Sequence, residues 1–547
     1  MTRSRQRPAD SAQSKTPRMS GHSTRENRET LVASAPVVRR RPVGEGQGRT
    51  ADMHEARESD EGIVLTNDPN TDARSGSAEE REGRPSTKEN PEHSTSPRTQ
   101  GRSGAPGESM GWLGVRQAAQ REKRLRFTAL LHHVNVAQLR ASYFALTRDA
   151  APGVDGLTWH EYQHDLDHRL ATWHERVHRG SFRALPSKRV YIPKASGGQR
   201  PVGIAAVEDK IGQHAVSTVL SAVYEADVLG FSYGFRPGRR QHDALDALWV
   251  GLMQRRVNWG LDADIQGFFD TLDHEWLMRF VAHRIADPRI LRLVRKWLRA
   301  GVLEGDTRTE TEVGTPQGAV LSPLLANIYL HYVFDRWVPQ WRQQRATGDV
   351  VVVRYADDIV MGFEHRADAE RCLAAWQARL AQFGLRVHPD KTRLREFGRY
   401  AAANRKQRGE GKPETFAFLG FTHYCGQFRS GRYLVRRQTM RTRLRRKLQQ
   451  VKAELARRRH DPLPEQGQWV QRVVVGHFNY YAVPGTHSCL EHFRAAVMRL
   501  WHRALRRRGQ RRPLTWDRLG RVVRRWIPLV RIVHPYPEVR FAVRHPR

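Results

Sequence analysis

The stretch VVVVRYADDIVMGF, residues 350–363, sets two adjacent carboxylates between two apolar runs rich in β-branched residues. Runs of this kind joined by a short turn predict a β-hairpin, with Asp357 and Asp358 at its tip. Aspartate is common in turns, so turn chemistry alone is one explanation of the pair. The other is a metal ion, because Mg²⁺ is usually held by one or two carboxylates plus substrate phosphates, and a dication relieves their mutual repulsion.

A second pair of carboxylates lies in LDADIQGFF, where Asp262 and Asp264 alternate at the end of a predicted strand. Side chains two residues apart on a strand point the same way. We predict that the strand leads directly into a helix, and an N-cap is the alternative role for Asp264. A carboxylate from this strand would complete a site for two metal ions about 3.5–4 Å apart, as phosphoryl transfer requires.

The balance of charge indicates the partner. The 547 residues carry a formal net charge of +36, from 93 Lys and Arg against 57 Asp and Glu. Such an excess favours a polyanionic partner, most often a nucleic acid, although a G+C-rich genome also raises the arginine content. The three cysteines are far apart and form no C-x-x-C pair, and no run approaches 18 apolar residues. We therefore expect no zinc finger, no membrane partner and a cytoplasmic location.

The chain divides by composition. Residues 1–110 contain no Phe, Tyr or Trp and predict a disordered basic and polar tail. Strands interrupted by helices then predict an α/β (or α+β) catalytic region, followed by a mostly helical C-terminal region. In the latter, one amphipathic helix covers its polar faces with arginine and lysine, which favours a phosphate-facing surface over an ordinary solvated face. Its apolar face comprises Met440, Leu444, Leu448, Val451 and Leu455.

Six segments, taken together and in order, resemble group II intron-encoded reverse transcriptases and maturases of the short bacterial type without an HNH endonuclease. The segments are IPKASGGQRPVGIAAVEDKIGQ, GFSYGFRPGRRQHDAL, LDADIQGFFDTLDH, GTPQGAVLSPLLANIYLH, RYADDIV and FAFLGF. Farther on, WVQRVVVGHFNYYAVPG resembles the maturase (X) segment of that family. The resemblance implies a right-hand polymerase with fingers at 111–255, a ferredoxin-like palm at 256–425 and a helical thumb/maturase domain at 426–547.

The resemblance also implies a catalytic site. It assigns Asp264, Asp357 and Asp358 as catalytic residues and ligands of two Mg²⁺ ions, with the carbonyl of Ile265 as a further ligand. Asp262 is expected to support these ligands rather than bind metal itself. The implied reaction is the attack of a primer 3′-OH on the α-phosphorus of a dNTP.

Four residues are expected to bind the nucleotide. Lys194 and Arg200 flank the Gly-rich turn ASGGQ, and such a turn with a cation at each end can close on a triphosphate; a solvated basic hairpin is the alternative. Phe268 is expected to crowd a ribose 2′-OH, with Phe269 as its competitor and a core role as the alternative. Gln317, in TPQG before a predicted helix, is expected to contact the minor groove or the template.

Primer and template contacts are expected from four further residues. Gly318 would allow a close backbone approach, and Tyr355 would pack beside the primer end. Leu419 and Gly420 of FLGF match the primer-grip position, although this segment also fits a plain core strand. Lys391 is a candidate proton donor to pyrophosphate.

The function implied by the resemblance is twofold. The protein would copy its host intron RNA during retrohoming and would bind that RNA as a maturase to assist splicing. Its partners would be the intron RNA, a DNA primer or target and dNTPs, in a nucleoid-associated ribonucleoprotein. The alternatives are a splicing-only maturase, a retron or diversity-generating reverse transcriptase, and a non-specific RNA-binding protein. The oligomeric state is left open.

Overall fold

The computed structural model describes residues 110–193, 198–310, 313–508 and 515–544. The predicted disordered tail lies outside these residues apart from Met110, and Lys194 lies outside them as well. Within the described ranges, no helix is long and apolar enough to cross a membrane.

The described chain begins with four helices, two of which start at side-chain caps. The helices are α1 (Met110–Arg121), α2 (Val136–Ala145), α3 (Trp159–Gln163) and α4 (Leu166–His178). Asn135 accepts a hydrogen bond from the Gln138 N–H at the start of α2, and Thr158 forms a capping box with Glu161 at the start of α3.

A small sheet and several helices follow. The elements are β1 (Ser187–Pro193), β2 (Gln199–Ile204), α5 (Val207–Tyr224), α6 (Gln241–Gln254), β3 (Trp259–Ala263), α7 (His274–Arg284), α8 (Pro288–Leu298), β4 (Val302–Glu304) and β5 (Thr307–Thr309). The strand order of this first sheet is β2-β1-β4-β5. Strands β1 and β2 form an antiparallel hairpin in which Ile192 faces Arg200. The Gly-rich turn predicted to close on a triphosphate lies mostly outside the described residues, between these two strands in the sequence.

The second sheet holds the predicted catalytic strands. The next elements are α9 (Ser322–Leu330), a π-helical turn (His331–Asp335), α10 (Trp337–Arg345), β6 (Val350–Tyr355), β7 (Asp358–Phe363), α11 (Arg366–Gln382) and β8 (Arg393–Glu396). The sheet order is β6-β7-β3-β8, with every neighbouring pair antiparallel. This is the ferredoxin-like arrangement, in which the first strand in the chain lies beside the third. We call it the palm sheet, and it confirms the predicted fold.

The core behind the palm sheet is formed by apolar side chains that the strands and helices share. Leu261 faces Met361 on one neighbouring strand and Leu394 on the other, and Leu261 and Met361 are fully buried. Helix α11 contributes Trp376 and Leu380, also fully buried, to the same core. Successive strand residues alternate between faces, and Val353 and Val360 pack into a second core on the opposite face of the sheet.

The C-terminal region is mostly helical. It contains α12 (Ala401–Gln407), β9 (Phe416–Phe418), β10 (Phe421–Gln427), β11 (Tyr433–Thr439), α13 (Arg441–Arg457), α14 (Leu463–Tyr481), α15 (His487–Arg506), α16 (Trp516–Trp526) and α17 (Pro537–Arg544). The predicted apolar face of α13 is buried at Val451 and Leu455, which pack with Phe493 and Trp501 of α15. The domain boundaries remain predictions. The boundary expected after residue 425 falls inside β10, so a division there would cut the β9–β11 sheet.

Candidate active site

The predicted hairpin is present, and its turn is strained. Tyr355 faces Asp358 across strands β6 and β7, which leaves Ala356 and Asp357 as a two-residue turn. Ala356 has a φ of +56°, a left-handed conformation that a non-glycine residue seldom adopts. Such strain persists only where the surroundings impose it, and it concentrates at functional sites.

A buried ion pair holds this turn. Arg354 and Asp335 are both fully buried and are joined by two hydrogen bonds, Nε to Oδ1 at 2.7 Å and Nη2 to Oδ2 at 2.5 Å. The remaining Nη1 of Arg354 donates to the carbonyl of Ala356 and to Oδ1 of Asn327, both at 3.0 Å. The guanidinium therefore fixes the turn through its backbone. Sequence reasoning did not identify these residues, although an arginine in an otherwise apolar strand is a signal for a buried partner.

The segment GFSYGF supports the hairpin from a second side. Tyr233 donates its N–H to the Arg354 carbonyl, and the Arg354 N–H donates to Phe231, both at 2.9 Å. The carbonyl of Gly234 accepts from Asn327 Nδ2 at 2.7 Å. A Cβ on Gly234 would lie 2.3 Å from the backbone nitrogen of Ala356. Only glycine lets this segment approach the turn so closely.

The strand register brings Asp264 to the same edge of the sheet. Asp262 faces Val360 and Ala263 faces Ile359, so the next step of the register sets Asp264 opposite Asp358. Facing residues on antiparallel strands have Cα atoms about 4.5–5.5 Å apart. Carboxylates separated by almost a hundred residues of chain therefore meet at one end of the palm sheet.

The helix predicted to follow Asp264 is not formed, and that prediction is wrong. The chain keeps strand-like pairing beyond β3, because His388 N–H donates to the Asp264 carbonyl at 2.8 Å and Gln266 N–H donates to Arg386 at 2.9 Å. It then turns through Gly267, at a φ of +57°, into the 3₁₀ turn Phe268–Asp270. Asp264 is consequently not an N-cap.

The side chain of Asp264 forms an ion pair with Lys391, with Oδ2 and Nζ 2.6 Å apart. Across the described part of the chain, no group of three or more acidic, histidine or cysteine side chains is gathered closely enough to hold a metal ion. The three aspartates thus share an edge, but Asp264 is directed towards the lysine. The ammonium group of Lys391 neutralises the Asp264 carboxylate in this structure, as a bound dication would.

The pKa values show how unfavourable the clustered charges are. Desolvation raises the pKa of Asp358 to about 7, and the charges of Asp357, Asp264 and Asp262 add to the shift. Desolvation also raises the pKa of Asp357, against the opposing charges of Arg200 and Lys391. The side chain of Asp358 is nevertheless exposed at the start of β7, so a cation from solvent can reach it. Repulsion of this kind is what a bound dication relieves.

The donor set fits Mg²⁺ chemically. Carboxylate oxygens are the hard ligands that Mg²⁺ prefers. Ile265 lies opposite Val387 at a non-hydrogen-bonded position, so its carbonyl points away from Val387 and towards the hairpin side of β3. The pKa of Asp262 is raised to about 6, chiefly by desolvation, because it lies one step farther inside the sheet.

The described residues expected to bind the nucleotide differ in their surroundings. The charge of Arg200, on β2, opposes the raised pKa of Asp357, so this arginine lies close to the hairpin tip. Gln317 Nε2 donates to both carboxylate oxygens of Asp270 at 3.2 Å. Phe268 is only 3% exposed and belongs to the main core, whereas Phe269 is half-buried beside it.

The backbone at Gly318 closely approaches strand β2 of the protein itself. Gly318 has a φ of +107°, and a Cβ there would lie 2.9 Å from the carbonyl of Gly203 and from the Val202 side chain. The Gln317 carbonyl accepts the Gly203 N–H at 2.7 Å. The TPQG segment is thereby fixed against β2, directly before the predicted helix, which is α9. Its contact with a template remains a prediction.

The segment FLGF forms a turn rather than a continuous strand. Phe418 faces Phe421, and Leu419 and Gly420 between them have φ values of +45° and +79°. The Leu419 carbonyl accepts from the Tyr480 hydroxyl at 2.8 Å, and the Gly420 carbonyl accepts from the Met440 N–H at 3.0 Å. We call residues 419–420 the grip turn. It is tied to α13 and α14 on the C-terminal side.

Comparisons with known proteins agree with this geometry. The family model described as reverse transcriptase (RNA-dependent DNA polymerase) matches residues 192–423. Protein YkfC of Escherichia coli (strain K12) is 32% identical over 313 residues, which cover 50% of this chain and 81% of that protein. Group II intron-encoded protein LtrA of Lactococcus lactis subsp. cremoris is 40% identical over 166 residues, 30% of this chain and 27% of that protein. An uncharacterized 91 kDa protein in the cob intron of Schizosaccharomyces pombe is 41% identical over 150 residues, 27% of this chain and 18% of that protein.

A ferredoxin-like palm sheet with acidic residues on a central hairpin and on the adjacent strand defines a protein of the polymerase class. The match to the reverse transcriptase model covers this sheet entirely. The chain belongs to the reverse transcriptase family and is homologous to proteins encoded by group II introns.

Proposed function

We propose that this protein is an RNA-directed DNA polymerase that copies its host intron RNA during retrohoming. One observation carries the proposal: the register of β3 and β7 sets Asp264 opposite Asp358, beside Asp357 in the turn. The pKa values of Asp357 and Asp358 are raised, so ionising these two carboxylates disfavours the folded state. A site for substrate-bound cations explains why such carboxylates are placed together.

Asp264, Asp357, Asp358 and the Ile265 carbonyl would hold two Mg²⁺ ions. Bound there, the ions would supply charge neutralisation at the attacking and leaving oxygens. Arg354 and Asp335 hold the hairpin that presents Asp357, so the site is positioned before the substrates arrive. The protein contributes positioning and charge rather than a covalent intermediate.

The nucleotide would enter between the β1–β2 hairpin and the palm sheet. Arg200 is close enough to Asp357 for its charge to oppose that residue's raised pKa, so its guanidinium is available to a triphosphate bound at the same place. Lys194 would act from the other side of the turn, and Gln317 and Phe268 would shape the base and ribose contacts. Lys391, released from Asp264, would give its proton to the departing pyrophosphate.

We further propose that the protein binds its intron RNA as a maturase. The relative LtrA is a group II intron-encoded protein, and this chain carries an excess of 36 positive charges. Helices α15 and α16 expose arginines to solvent, among them Arg503, Arg506, Arg521 and Arg524. Arginine forks suit phosphate contacts along an RNA backbone.

A maturase without polymerase activity is the second candidate. The Asp264–Lys391 ion pair favours it, because a carboxylate neutralised by a lysine needs no metal ion. Primer extension and splicing assays of the wild type and of Asp358→Ala, side by side, separate the two functions. Splicing without any extension by the wild type would establish the second candidate.

The direct test is Asp357→Asn in extension of a DNA primer on an RNA template. We expect extension to fall by about three orders of magnitude or more, on the order of 4 kcal/mol of transition-state stabilisation. RNA affinity should stay within about twofold, because arginine contacts with phosphates dominate binding. The matched control is Asp306→Asn, an exposed aspartate in the β4–β5 turn, which should extend normally. Extension by Asp357→Asn at the wild-type rate would refute the assignment.

A further inference from the structure

The segment that follows α16 folds back onto the end of α14. The N–H groups of Val533 and His534 both donate to the carbonyl of Ala482, directly after α14, at 3.2 Å. The ring of His534 adds a third hydrogen bond, in which Nε2 donates to the Asn479 carbonyl at 2.6 Å. We call residues 533–544 the strap. Its first residues are therefore fixed to α14 by both backbone and side chain.

The later residues of the strap reach a different helix, α6. Arg540, in α17, forms an ion pair with Asp246 of α6, and the side chain of Asp246 is fully buried. The next residue, Phe541, packs against the second core, to which Leu248 of α6 belongs. Nη1 of Arg540 also donates to Nδ1 of His534 at 2.8 Å. The strap thus connects α14 to the helix that packs behind the palm sheet.

Two histidines meet where the strap and the two helices join. Nε2 of His242, in α6, donates to the Tyr480 carbonyl of α14 at 2.8 Å. Its ring stacks on that of His534, with ring centroids 4.1 Å apart. Because a carbonyl oxygen can only accept, each imidazole carries its proton on Nε2, and Nδ1 of His534 is left to accept from Arg540. One continuous chain of polar contacts therefore runs from α14 through the strap to α6.

The carboxylate of Asp246 also has a second cation beside it. Arg437 of β11 is almost fully buried, and its Nη1 lies 3.6 Å from Oδ1 of Asp246. Removing one partner of a buried ion pair is strongly destabilising when the other charge is left uncompensated. Here Arg437 would still compensate Asp246 after the loss of Arg540. The strap can therefore be released by substitution without leaving a buried charge alone.

We propose that the strap holds α14 against α6 and thereby keeps the C-terminal helices at a fixed distance from the palm sheet during successive nucleotide additions. The inference rests on the proposed polymerase function. A template–primer duplex that contacts the palm and the C-terminal helices is held by two linked surfaces. A stiff link keeps one contact in place while the other breaks and forms again. His534, Arg540 and Phe541 are positioning residues, since they act through the placement of the helices.

The first test compares Arg540→Ala with the wild type in primer extension with a heparin trap, so that each product arises from a single binding event. We expect the first nucleotide to be added within about twofold of the wild-type rate, whereas the mean product length falls about tenfold. Arg531→Ala is the matched control, because it removes the same charge from an exposed residue just before the strap. Its products should have the wild-type length.

Two further variants separate the strap from a general loss of stability. Phe541→Ala removes the apolar contact and no charge, and it should shorten the products as Arg540→Ala does. Arg540→Lys keeps a cation beside Asp246 and should recover part of the product length.

Hydrogen exchange provides a readout that does not depend on activity. In Arg540→Ala, the amides of Val533, His534 and α17 should exchange faster, whereas those of β6 and β7 should be unchanged. Unchanged exchange in the strap, or wild-type product lengths despite faster exchange, would overturn the inference while leaving the polymerase intact. Failure of the wild type to extend any primer would overturn the polymerase function as well.

Discussion

At the scale of single residues, the candidate site depends on a strained turn that its neighbours hold. Ala356 keeps a left-handed φ because Arg354 donates a hydrogen bond to its carbonyl and Gly234 packs against its backbone nitrogen. Sequence patterns located the two aspartates of the hairpin but not these supports. Arg354 lies in the hairpin itself, but its partner Asp335 and the glycine Gly234 come from other segments, and only the folded structure brings them to the turn.

Gly234→Ala should impair catalysis while the protein remains folded. The new Cβ would meet the Ala356 nitrogen at 2.3 Å, so the turn that carries Asp357 must shift. A misplacement of about 1 Å at a catalytic group can cost about 10²-fold in rate. Gly230→Ala is the matched control, because its Cβ meets nothing within 4 Å. Equal extension rates for the two variants would contradict this explanation of the turn.

Asp335→Asn should destabilise the protein strongly. It leaves the guanidinium of Arg354 fully buried without its counter-charge, which costs about 3–5 kcal/mol. Glu370→Gln breaks the exposed pair with Arg366 and should cost only about 0.3–0.5 kcal/mol. Urea unfolding of both variants measures the difference. A loss below about 1 kcal/mol for Asp335→Asn would show that the buried pair does not hold the hairpin.

At the scale of elements, local patterns predicted the hairpin well and the continuation of β3 badly. Alternating and β-branched residues determine strands β6 and β7 locally. The helix expected after Asp264 fails because residues 386–388 supply backbone partners that extend the strand. That pairing depends on a segment more than a hundred residues away, which no local pattern reveals.

Asp287 links two elements, and its contribution should depend on pH. It accepts hydrogen bonds from Leu130 N–H at 2.8 Å, Leu131 N–H at 3.0 Å and Arg289 N–H at 2.9 Å. Burial raises the pKa of Asp287, but these bonds outweigh it and the pKa is lowered overall. A lowered pKa gives stability that is present above the ordinary aspartate pKa of about 3.9 and is lost as the pH falls below it.

Asp287→Asn should therefore destabilise the protein by about 1.5–3 kcal/mol at pH 7, and by progressively less below pH ~4. Urea unfolding at several pH values measures this, with the exposed Asp306→Asn as the control of equal charge change. A destabilisation that does not change with pH would show that the carboxylate charge is irrelevant to the link.

At the scale of the whole molecule, the order of the motifs predicted the polymerase fold, and the structure confirms the ferredoxin-like palm. The motifs could be recognised because each lies within a short stretch of chain. The Asp264–Lys391 ion pair could not be predicted, since it depends on how separate regions of the chain pack. The charge excess indicates a polyanionic partner but no binding surface, because net charge is a property of the whole chain.

RNA affinity should depend steeply on salt. If the protein contacts about 6–10 phosphates, affinity should fall about 10³–10⁵-fold between 50 and 200 mM salt. The double variant R521A/R524A removes two exposed arginines of α16 and should reduce the slope of log Kd against log salt by about 2. Asp357→Asn should leave the slope unchanged. A slope that the double variant does not alter would place RNA binding on another surface.

The most direct measurement is anomalous scattering from Mn²⁺ in a complex with an RNA template, a DNA primer and a non-reactive dNTP analogue. We expect two Mn²⁺ ions about 3.5–4 Å apart, bound by Asp264 and by Asp357, with Lys391 displaced from Asp264. A complex in which Lys391 still pairs with Asp264 and no Mn²⁺ lies at the hairpin tip would contradict the proposal that these carboxylates form a polymerase site.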